Sequence, residues 1–304
     1  MILIGENIHV ISKSVQNALL ERDKQFISDL IEIQKDMDFI DLNVGPAKKN
    51  LEGVLPWLAN LVKQKSDIGI SFDTTNLDEM ERGLASFDGK TFINSTNNDV
   101  VRLEKMTDLA VNFDSNLVAL TLSKDTGIPK TSDGRMEIAF EIYEKCLEKG
   151  VESDKIYFDP LILPVSVEQS QALEALNTIK IIKESFEPEV RTLVGLSNIS
   201  NGCPKQIRPL VNRVFAVLCF GARLDAAIVD AKDNELIRIL KMLEGGNPNS
   251  DIDKLYVSLA NMVENFGELE EVEFDRSSSE QARIIKTAEI LLNKQIYSHS
   301  FTQI

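Results

Sequence analysis

Aspartate and asparagine residues stand repeatedly at the ends of short apolar runs in this sequence. Such runs end at Asp73, Asn94, Asp159 and Asn198. An apolar run is typical of a buried parallel strand, and the C-terminal ends of such strands meet at one face of an α/β barrel. We therefore expect the four side chains to line one pocket. Their carboxylates and amides would suit a flat ligand rich in nitrogen.

The chemistry of these groups is directed hydrogen bonding. A carboxylate facing an N–H beside an NH₂ group accepts two parallel bonds, and charge-assisted bonds of this kind contribute about 1.5–3 kcal/mol each. An asparagine offers both a donor and an acceptor. Further groups of this type stand near predicted strand ends at Glu6, Asn7, Asp41, Asn43 and Asp230. The alternative for any one of them is a helix N-cap, because Asp and Asn often occupy strand-to-helix junctions.

The sequence lacks the residue patterns of several other common binding and catalytic sites. The two histidines, His9 and His299, lie near opposite ends of the chain, and the three cysteines, Cys146, Cys203 and Cys219, are irregularly spaced. These residues form no zinc-site pattern, and three irregularly spaced cysteines argue against a disulfide framework. The sequence contains no P-loop, no glycine-rich dinucleotide motif and no nucleophile elbow. We expect no bound metal ion, and we interpret His9 as a hydrogen-bonded loop residue.

Composition narrows the class of protein further. The 304 residues are 43% hydrophobic and 27% charged, with a formal net charge of −15. Nucleic acid is an unlikely partner for such a chain, because phosphate binding needs clustered Lys and Arg. The N-terminus lacks a basic segment, and no apolar run approaches the roughly 18 residues of a membrane span. We expect a cytoplasmic protein with no membrane contact.

The elements that must position these groups alternate regularly along the chain. Segments with helical spacing of apolar residues separate the predicted strands, which are residues 2–8, 39–43, 68–73, 91–94, 117–122, 156–159, 192–196 and 226–229. Strict alternation of eight strands and helices predicts an α/β fold, a (β/α)₈ TIM barrel.

The regular spacing is disturbed only near the C-terminus. A glycine- and asparagine-rich break at 245–250 is followed by an amphipathic segment at 255–266 and an acidic run at 268–273. Residues 277–280 are typical of an N-cap for a final helix at 281–293. We expect a single domain over residues 1–304, with a helical insertion at about 238–280 in the last helical layer. We call residues 238–280 the insertion region.

Several strand-end segments together resemble the pterin-binding methyltransferases, which share their barrel with dihydropteroate synthase. The resemblance covers residues 1–233 and 281–304, and the matching segments are 41–45, 73–76, 93–97, 159–164 and 195–198. Within this family the chain is most similar to the methyltetrahydrofolate:corrinoid protein methyltransferases. It departs from them in the insertion region and at residues 7–9.

The resemblance implies roles for individual residues. Asp73, Asn94 and Asp159 would hold the pyrimidine edge of the pterin, and Asn198 would act in catalysis near N5. Ser197 and Arg208 would contribute to pterin or tail binding. Possible residues of the corrinoid side or barrel mouth are Glu6, Asn7, Asp41, Asn43 and Asp230.

The resemblance also implies a reaction and its partners. The reaction is methyl transfer between N5 of tetrahydrofolate or 5-methyltetrahydrofolate and a cobalamin or other corrinoid on a partner protein, because this chain lacks the corrinoid-binding histidine motif. The departures at residues 7–9 and in the insertion region favour transfer from methylcobalamin to tetrahydrofolate in a demethylation pathway. A homodimer is expected from the family.

Three alternatives remain open. The first is transfer from methyltetrahydrofolate to a corrinoid iron–sulfur protein in the acetyl-CoA pathway. The second is a dihydropteroate synthase, although such enzymes have Lys or Arg where Asn198 follows Ser197. The third is a non-catalytic folate-binding or corrinoid-protein accessory protein.

Overall fold

Eight parallel strands form a closed barrel in the computed structural model, which describes residues 1–301. The strands follow sequence order around the barrel, and the first strand pairs with the last. They are β1 (Ile2–His9), β2 (Phe39–Gly45), β3 (Gly69–Thr74), β4 (Thr91–Thr96), β5 (Asn116–Leu120), β6 (Ile156–Asp159), β7 (Arg191–Gly195) and β8 (Ala226–Val229). The predicted (β/α)₈ TIM barrel is confirmed, with strand boundaries shifted by a few residues at most. The last three residues of the predicted single domain, 302–304, lie outside the described residues.

Helices connect the strands on the outside of the barrel. They are α1 (Lys13–Glu21), α2 (Lys24–Ile33), α3 (Val54–Lys65), α4 (Leu77–Ala85), α5 (Val100–Asn112), α6 (Ser132–Lys149), α7 (Ser170–Ser185), α8 (Arg208–Gly221), α9 (Asn234–Gly245), α10 (Asp251–Glu264) and α11 (Ser279–Leu291). Among these helices, none has the length and apolar character needed to cross a membrane.

Aromatic side chains fill the interior of the barrel below its C-terminal face. Phe92 contacts Phe39 and Tyr157 edge to face, with ring centroids 4.8 and 4.7 Å apart. All three rings are buried, and Ile4 and Val118 pack against the same cluster. Edge-to-face packing of this kind stabilises a core beyond the burial of area alone. We call Phe39, Phe92 and Tyr157 the aromatic floor.

Helix α8 is covered by a second layer of helices. Its sequence is apolar on nearly every side, and α9, α10 and α11 all pack against it. At Gly221 the approach of α10 is so close that a Cβ would lie 2.3 Å from the backbone oxygen of Ala260. Gly246 ends α9 in a left-handed conformation and Ser250 caps α10, as the predicted break at 245–250 requires. The description of this region as an insertion within a single domain stays a prediction.

Candidate active site

Strand register brings the predicted site residues to one level of the barrel. Asn43 on β2 pairs with Asp73 on β3, which in turn pairs with Asn94 on β4. Asp159 is the last residue of β6. Because parallel strands share one direction, these ends meet at the C-terminal face.

A cavity of about 630 Å³ opens at this face. Every site residue predicted from the sequence lines it except Arg208; these residues are Glu6, Asn7, Asp41, Asn43, Asp73, Asn94, Asp159, Ser197, Asn198 and Asp230. We call it the strand-end cavity. Arg208 lines a neighbouring cavity of similar size, which shares Glu6, Ser197 and Asp230 with the first.

Helix capping does not account for the central groups. Asn76 caps α4, Asp99 caps α5 and Asp233 caps α9, each with a side chain that accepts from backbone N–H groups. Asp73 and Asn94 therefore remain available to a ligand. Only Asp159 and Asp230 serve their own loops, each accepting from the amide two residues further on.

Buried hydrogen bonds fix the strand-end amides. Asp41 accepts from Ser71 Oγ at 2.6 Å and from Asn94 Nδ2 at 3.2 Å. The Asn43 amide donates to Asp73. Asp41 is only 3% exposed and lies two residues below the level of Asn94 in the strand register, so it sits at the base of the cavity and not at the mouth that the sequence predicts for it. The reason is the two-residue repeat of a strand, which places its side chain beneath that of Asn43.

Four carboxyl groups that line the cavity, those of Glu6, Asp41, Asp73 and Asp159, have raised pKa values. Burial raises the pKa of Asp159 to about 7 and that of Asp41 to about 6. Burial together with the charge of Asp41 raises the pKa of Asp73 well above its usual range. A ligand that presents N–H groups would favour the ionised form of each of these carboxyls.

A chain of side chains orients the amide of Asn198. Arg208 Nη2 donates to Asn201 Oδ1 at 3.1 Å, and Asn201 Nδ2 donates to Asn198 Oδ1 at 3.3 Å. This leaves Asn198 Nδ2 as the atom that can donate into the cavity. The amide lies over Gly195, where a Cβ would come within 3.0 Å of Nδ2. Arg208 thus contacts the site through Asn201, and its predicted ligand contact stays a prediction.

Two further contacts join β1 to the last strands of the barrel. Ser197 Oγ donates to Glu6 Oε2 at 3.0 Å. The Asn7 side chain donates to Asp230 at 2.6 Å and accepts from the amide of Ala231 at 3.0 Å. His9 is the last residue of β1 and not a loop residue as the sequence predicts, and its Nδ1 accepts from the amide of Ile11 at 3.1 Å.

Two arginines that were not predicted as site residues, Arg102 and Arg135, place positive charge near the carboxyl groups of Asp73 and Asp159. Arg102 donates to the backbone oxygens of Thr74, Thr75 and Ser95 at 2.8–3.1 Å, and its charge opposes the raised pKa of Asp73. It therefore ties the end of β3 to the end of β4.

Arg135 is fully buried near Asp159. It donates to the oxygen of Pro129 at 3.2 Å and to Gln171 at 2.6 Å, and its charge opposes the raised pKa of Asp159. No sequence signal identifies this residue, because arginine is rarely buried. Within residues 1–301, no group of three or more His, Cys, Asp or Glu side chains is arranged to hold a metal ion.

Known proteins share this sequence pattern. The chain is 25% identical over 241 residues to the methylcorrinoid:tetrahydrofolate methyltransferase of Eubacterium limosum. The aligned region covers 78% of this chain and 88% of that protein. It is 29% and 28% identical to the methionine synthases of Mycobacterium tuberculosis and Mycobacterium leprae. Those matches cover 76% of this chain but only 20% of each synthase.

Solved structures of dihydropteroate synthases share the fold. The enzyme of Clostridium difficile with pteroic acid superposes with a TM-score of 0.59 at 17% identity, covering 80% of this chain and 96% of that one. The Yersinia pestis enzyme with a pterine–sulfa conjugate gives 0.54 at 13% identity, covering 80% and 94%. The sequence profile of the pterin binding enzymes matches residues 40–230, which extend from the second residue of β2 through β8. This chain is a member of the pterin binding enzyme family.

Proposed function

We propose that this protein transfers a methyl group between a corrinoid on a partner protein and N5 of tetrahydrofolate. The observation that carries the proposal is the strand-end cavity, in which Asp73, Asn94 and Asp159 surround a space that the Asn198 amide also faces. The similarity of this chain to the methylcorrinoid:tetrahydrofolate methyltransferase of Eubacterium limosum and to the mycobacterial methionine synthases supports this reaction class.

In this proposal the three strand-end side chains hold the pyrimidine edge of the pterin. Asp73 and Asp159 accept hydrogen bonds from its N–H groups and thereby become fully ionised. Asn94 donates to Asp41 through Nδ2, so its Oδ1 is the atom presented to the ligand. Each carboxylate contact is charge-assisted and lies in a site with restricted access to water, where such bonds are strongest.

Asn198 acts on the reacting nitrogen. Charge on N5 changes during methyl transfer, and a fixed donor that bonds more strongly as this charge develops stabilises the transition state more than the bound substrate. The chain from Arg208 through Asn201 holds Asn198 Nδ2 in the donating orientation before the ligand arrives. Ser197 lies beside it in the same cavity.

Direction, partner and assembly are finer parts of the proposal. We favour transfer from the methylcorrinoid to tetrahydrofolate, with no metal ion bound directly by this chain. The corrinoid protein would dock over the open C-terminal face, close to Asp230. A homodimer formed through the outer helices would leave this face free.

Dihydropteroate synthesis is the competing reaction within the fold. The solved synthases are at most 17% identical to this chain and support the architecture alone. Asn198 stands where the resemblance leads one to expect Lys or Arg in a synthase. This substitution favours methyl transfer.

The deciding experiment is an anaerobic incubation of the protein with tetrahydrofolate and methylcobalamin. We expect the visible absorbance of methylcobalamin to be replaced by that of reduced cobalamin as methyltetrahydrofolate forms. A parallel assay with a dihydropterin pyrophosphate and aminobenzoate should yield no dihydropteroate. Formation of dihydropteroate without methyl transfer would contradict the proposal, as would binding of folate without either reaction.

A further inference from the structure

The contact between Glu6 and Ser197 has no part in the ligand contacts described so far. Ser197 follows β7 and Glu6 belongs to β1, and the two side chains are joined by a hydrogen bond of 3.0 Å. Both side chains are half-buried, and both line the strand-end cavity. Ser197 also precedes Asn198 directly in the chain, so this carboxylate is connected to the part of the cavity assigned to N5.

The proposed reaction must move a proton at N5. When tetrahydrofolate receives the methyl group, the N5 lone pair forms the new C–N bond and the pair of the broken carbon–cobalt bond remains on the corrinoid. The hydrogen that N5 carried then leaves as a proton, and the reverse reaction takes one up. A side chain that accepts and returns this proton would serve both directions.

We infer that Glu6 accepts the N5 proton through the hydroxyl of Ser197. The inference rests on the proposed function. Ser197 Oγ takes the proton from N5 while its own proton passes to Glu6 Oε2, so the hydroxyl is regenerated and Glu6 becomes a carboxylic acid. In the reverse direction Glu6 returns the proton along the same path.

The surroundings of Glu6 suit this role. Asp41 and Asp230 face it with negative charge, whereas Arg208 and the Ser197 hydroxyl favour its ionised form. Burial is the largest influence and raises the pKa of Glu6 to about 7. A carboxyl that titrates near neutrality can act as base in one direction and as acid in the other.

The other raised carboxyls of the cavity lack a comparable relay. Asp73 accepts from the Asn43 amide and Asp159 from the backbone amide of Leu161. An amide donates without accepting at the same atom, so it passes on no proton. Asp41 does meet a hydroxyl, but Ser71 is 1% exposed and is not among the residues that line the cavity.

The test is the pH profile of methyl transfer from free methylcobalamin at saturating tetrahydrofolate, followed by absorbance in single turnovers. In the wild type the rate constant should rise with pH and level off above about 7, the pKa of Glu6. Glu6→Gln should lower the plateau on the order of a hundredfold and remove the rising limb. Ser197→Ala should lower the plateau similarly, whereas Ser197→Thr retains the hydroxyl and should recover most of the rate.

Controls separate this inference from the proposed function. Glu21→Gln changes an exposed glutamate at the end of α1 and should leave the profile unchanged. Calorimetric affinity for tetrahydrofolate should stay within the same order of magnitude in both loss-of-rate variants. The inference is overturned if the Glu6→Gln protein keeps the wild-type plateau rate constant and the wild-type rise of the rate with pH. A fully active Ser197→Ala protein overturns it as well. If Glu6→Gln does not fold, the comparison of Ser197→Ala with Ser197→Thr decides. A wild type that binds no tetrahydrofolate and transfers no methyl group contradicts the proposed function itself.

Discussion

Asn94 donates a hydrogen bond of 3.2 Å to Asp41 across the strand that separates them. Asp41 is almost completely buried and is held in turn by Ser71. A buried carboxylate is costly unless its oxygens are bonded, so the two donors stabilise Asp41. The contact therefore fixes which atom of the Asn94 amide faces the cavity.

Loss of either strand-end carboxylate should weaken pterin binding. We expect Asp73→Ala and Asp159→Ala each to cost about 2–3 kcal/mol of affinity for tetrahydrofolate, because each removes charge-assisted hydrogen bonds from a buried site. Isothermal titration calorimetry measures the change. Asp36→Ala, at an exposed position after α2, should bind like the wild type. Equal affinities for all three variants would show that the pterin binds elsewhere.

Asn198 should affect the rate more than the affinity. We expect Asn198→Ala to slow methyl transfer on the order of a hundredfold, as for other single donors to a developing charge, with little change in folate binding. Gly195→Ala should act in the same direction, because its Cβ would lie 3.0 Å from Asn198 Nδ2 and displace the amide. The measurement is the single-turnover rate beside a calorimetric titration. A large loss of affinity without a rate effect would assign Asn198 to binding alone.

The raised pKa of Asp159 predicts a pH-dependent cost to the apo protein. Its pKa is about 7 in the folded chain and about 3.9 in an unfolded one. The folded state thus binds more protons between these values, and stability falls as pH rises through this window. Asp159→Asn should raise the melting temperature of the apo protein more at about pH 8 than at about pH 5.

The control for this prediction is Asp36→Asn, measured by the same thermal unfolding at both pH values. Its effect should be small and independent of pH, because Asp36 is exposed. If Asp159→Asn shifted the melting temperature equally at both pH values, Asp159 would not titrate with a raised pKa.

The packing of α10 against α8 should be sensitive to the size of the side chain at position 221. A methyl group there would lie 2.3 Å from Ala260 O, so Gly221→Ala must force α10 away from α8. We expect a loss of about 1–3 kcal/mol in the free energy of unfolding, as for other overpacked cores. Gly245→Ala is the matched control, since its nearest neighbour would be 3.7 Å away. Urea denaturation measures both, and equal stabilities would mean that α10 moves without cost.

The barrel could be predicted from the sequence because the pattern of each of its strands is local. Each strand is an apolar run that ends at a polar residue, and the run is visible without knowledge of its neighbours. The helical pattern is weak at α4, because this helix is short and its buried apolar side chains are Met80 and Leu84. Helix α7 begins at Ser170, whereas its apolar pattern suggests a start near Val167. Residue 167 instead lies in a turn closed on Pro164.

The orientation of the site residues could not be predicted in the same way. The amide of Asn198 is oriented by Asn201 and Arg208, and the amide of Asn94 is oriented by Asp41, which is 53 residues away. Such contacts depend on how strands and loops meet in space. The buried Arg135 shows the same limit, because its partners, Pro129 and Gln171 of α7, come together only in the folded structure.

The aromatic floor has a kinetic consequence. Phe39, Phe92 and Tyr157 block the barrel beneath the strand-end cavity, so molecules enter and leave it through the C-terminal mouth alone. In the proposed reaction, a folate bound at the bottom would have to arrive before the corrinoid protein covers that mouth, and it could depart only after the corrinoid protein has left. Turnover should therefore follow a compulsory order, in which the partner protein is the last to bind and the first to dissociate.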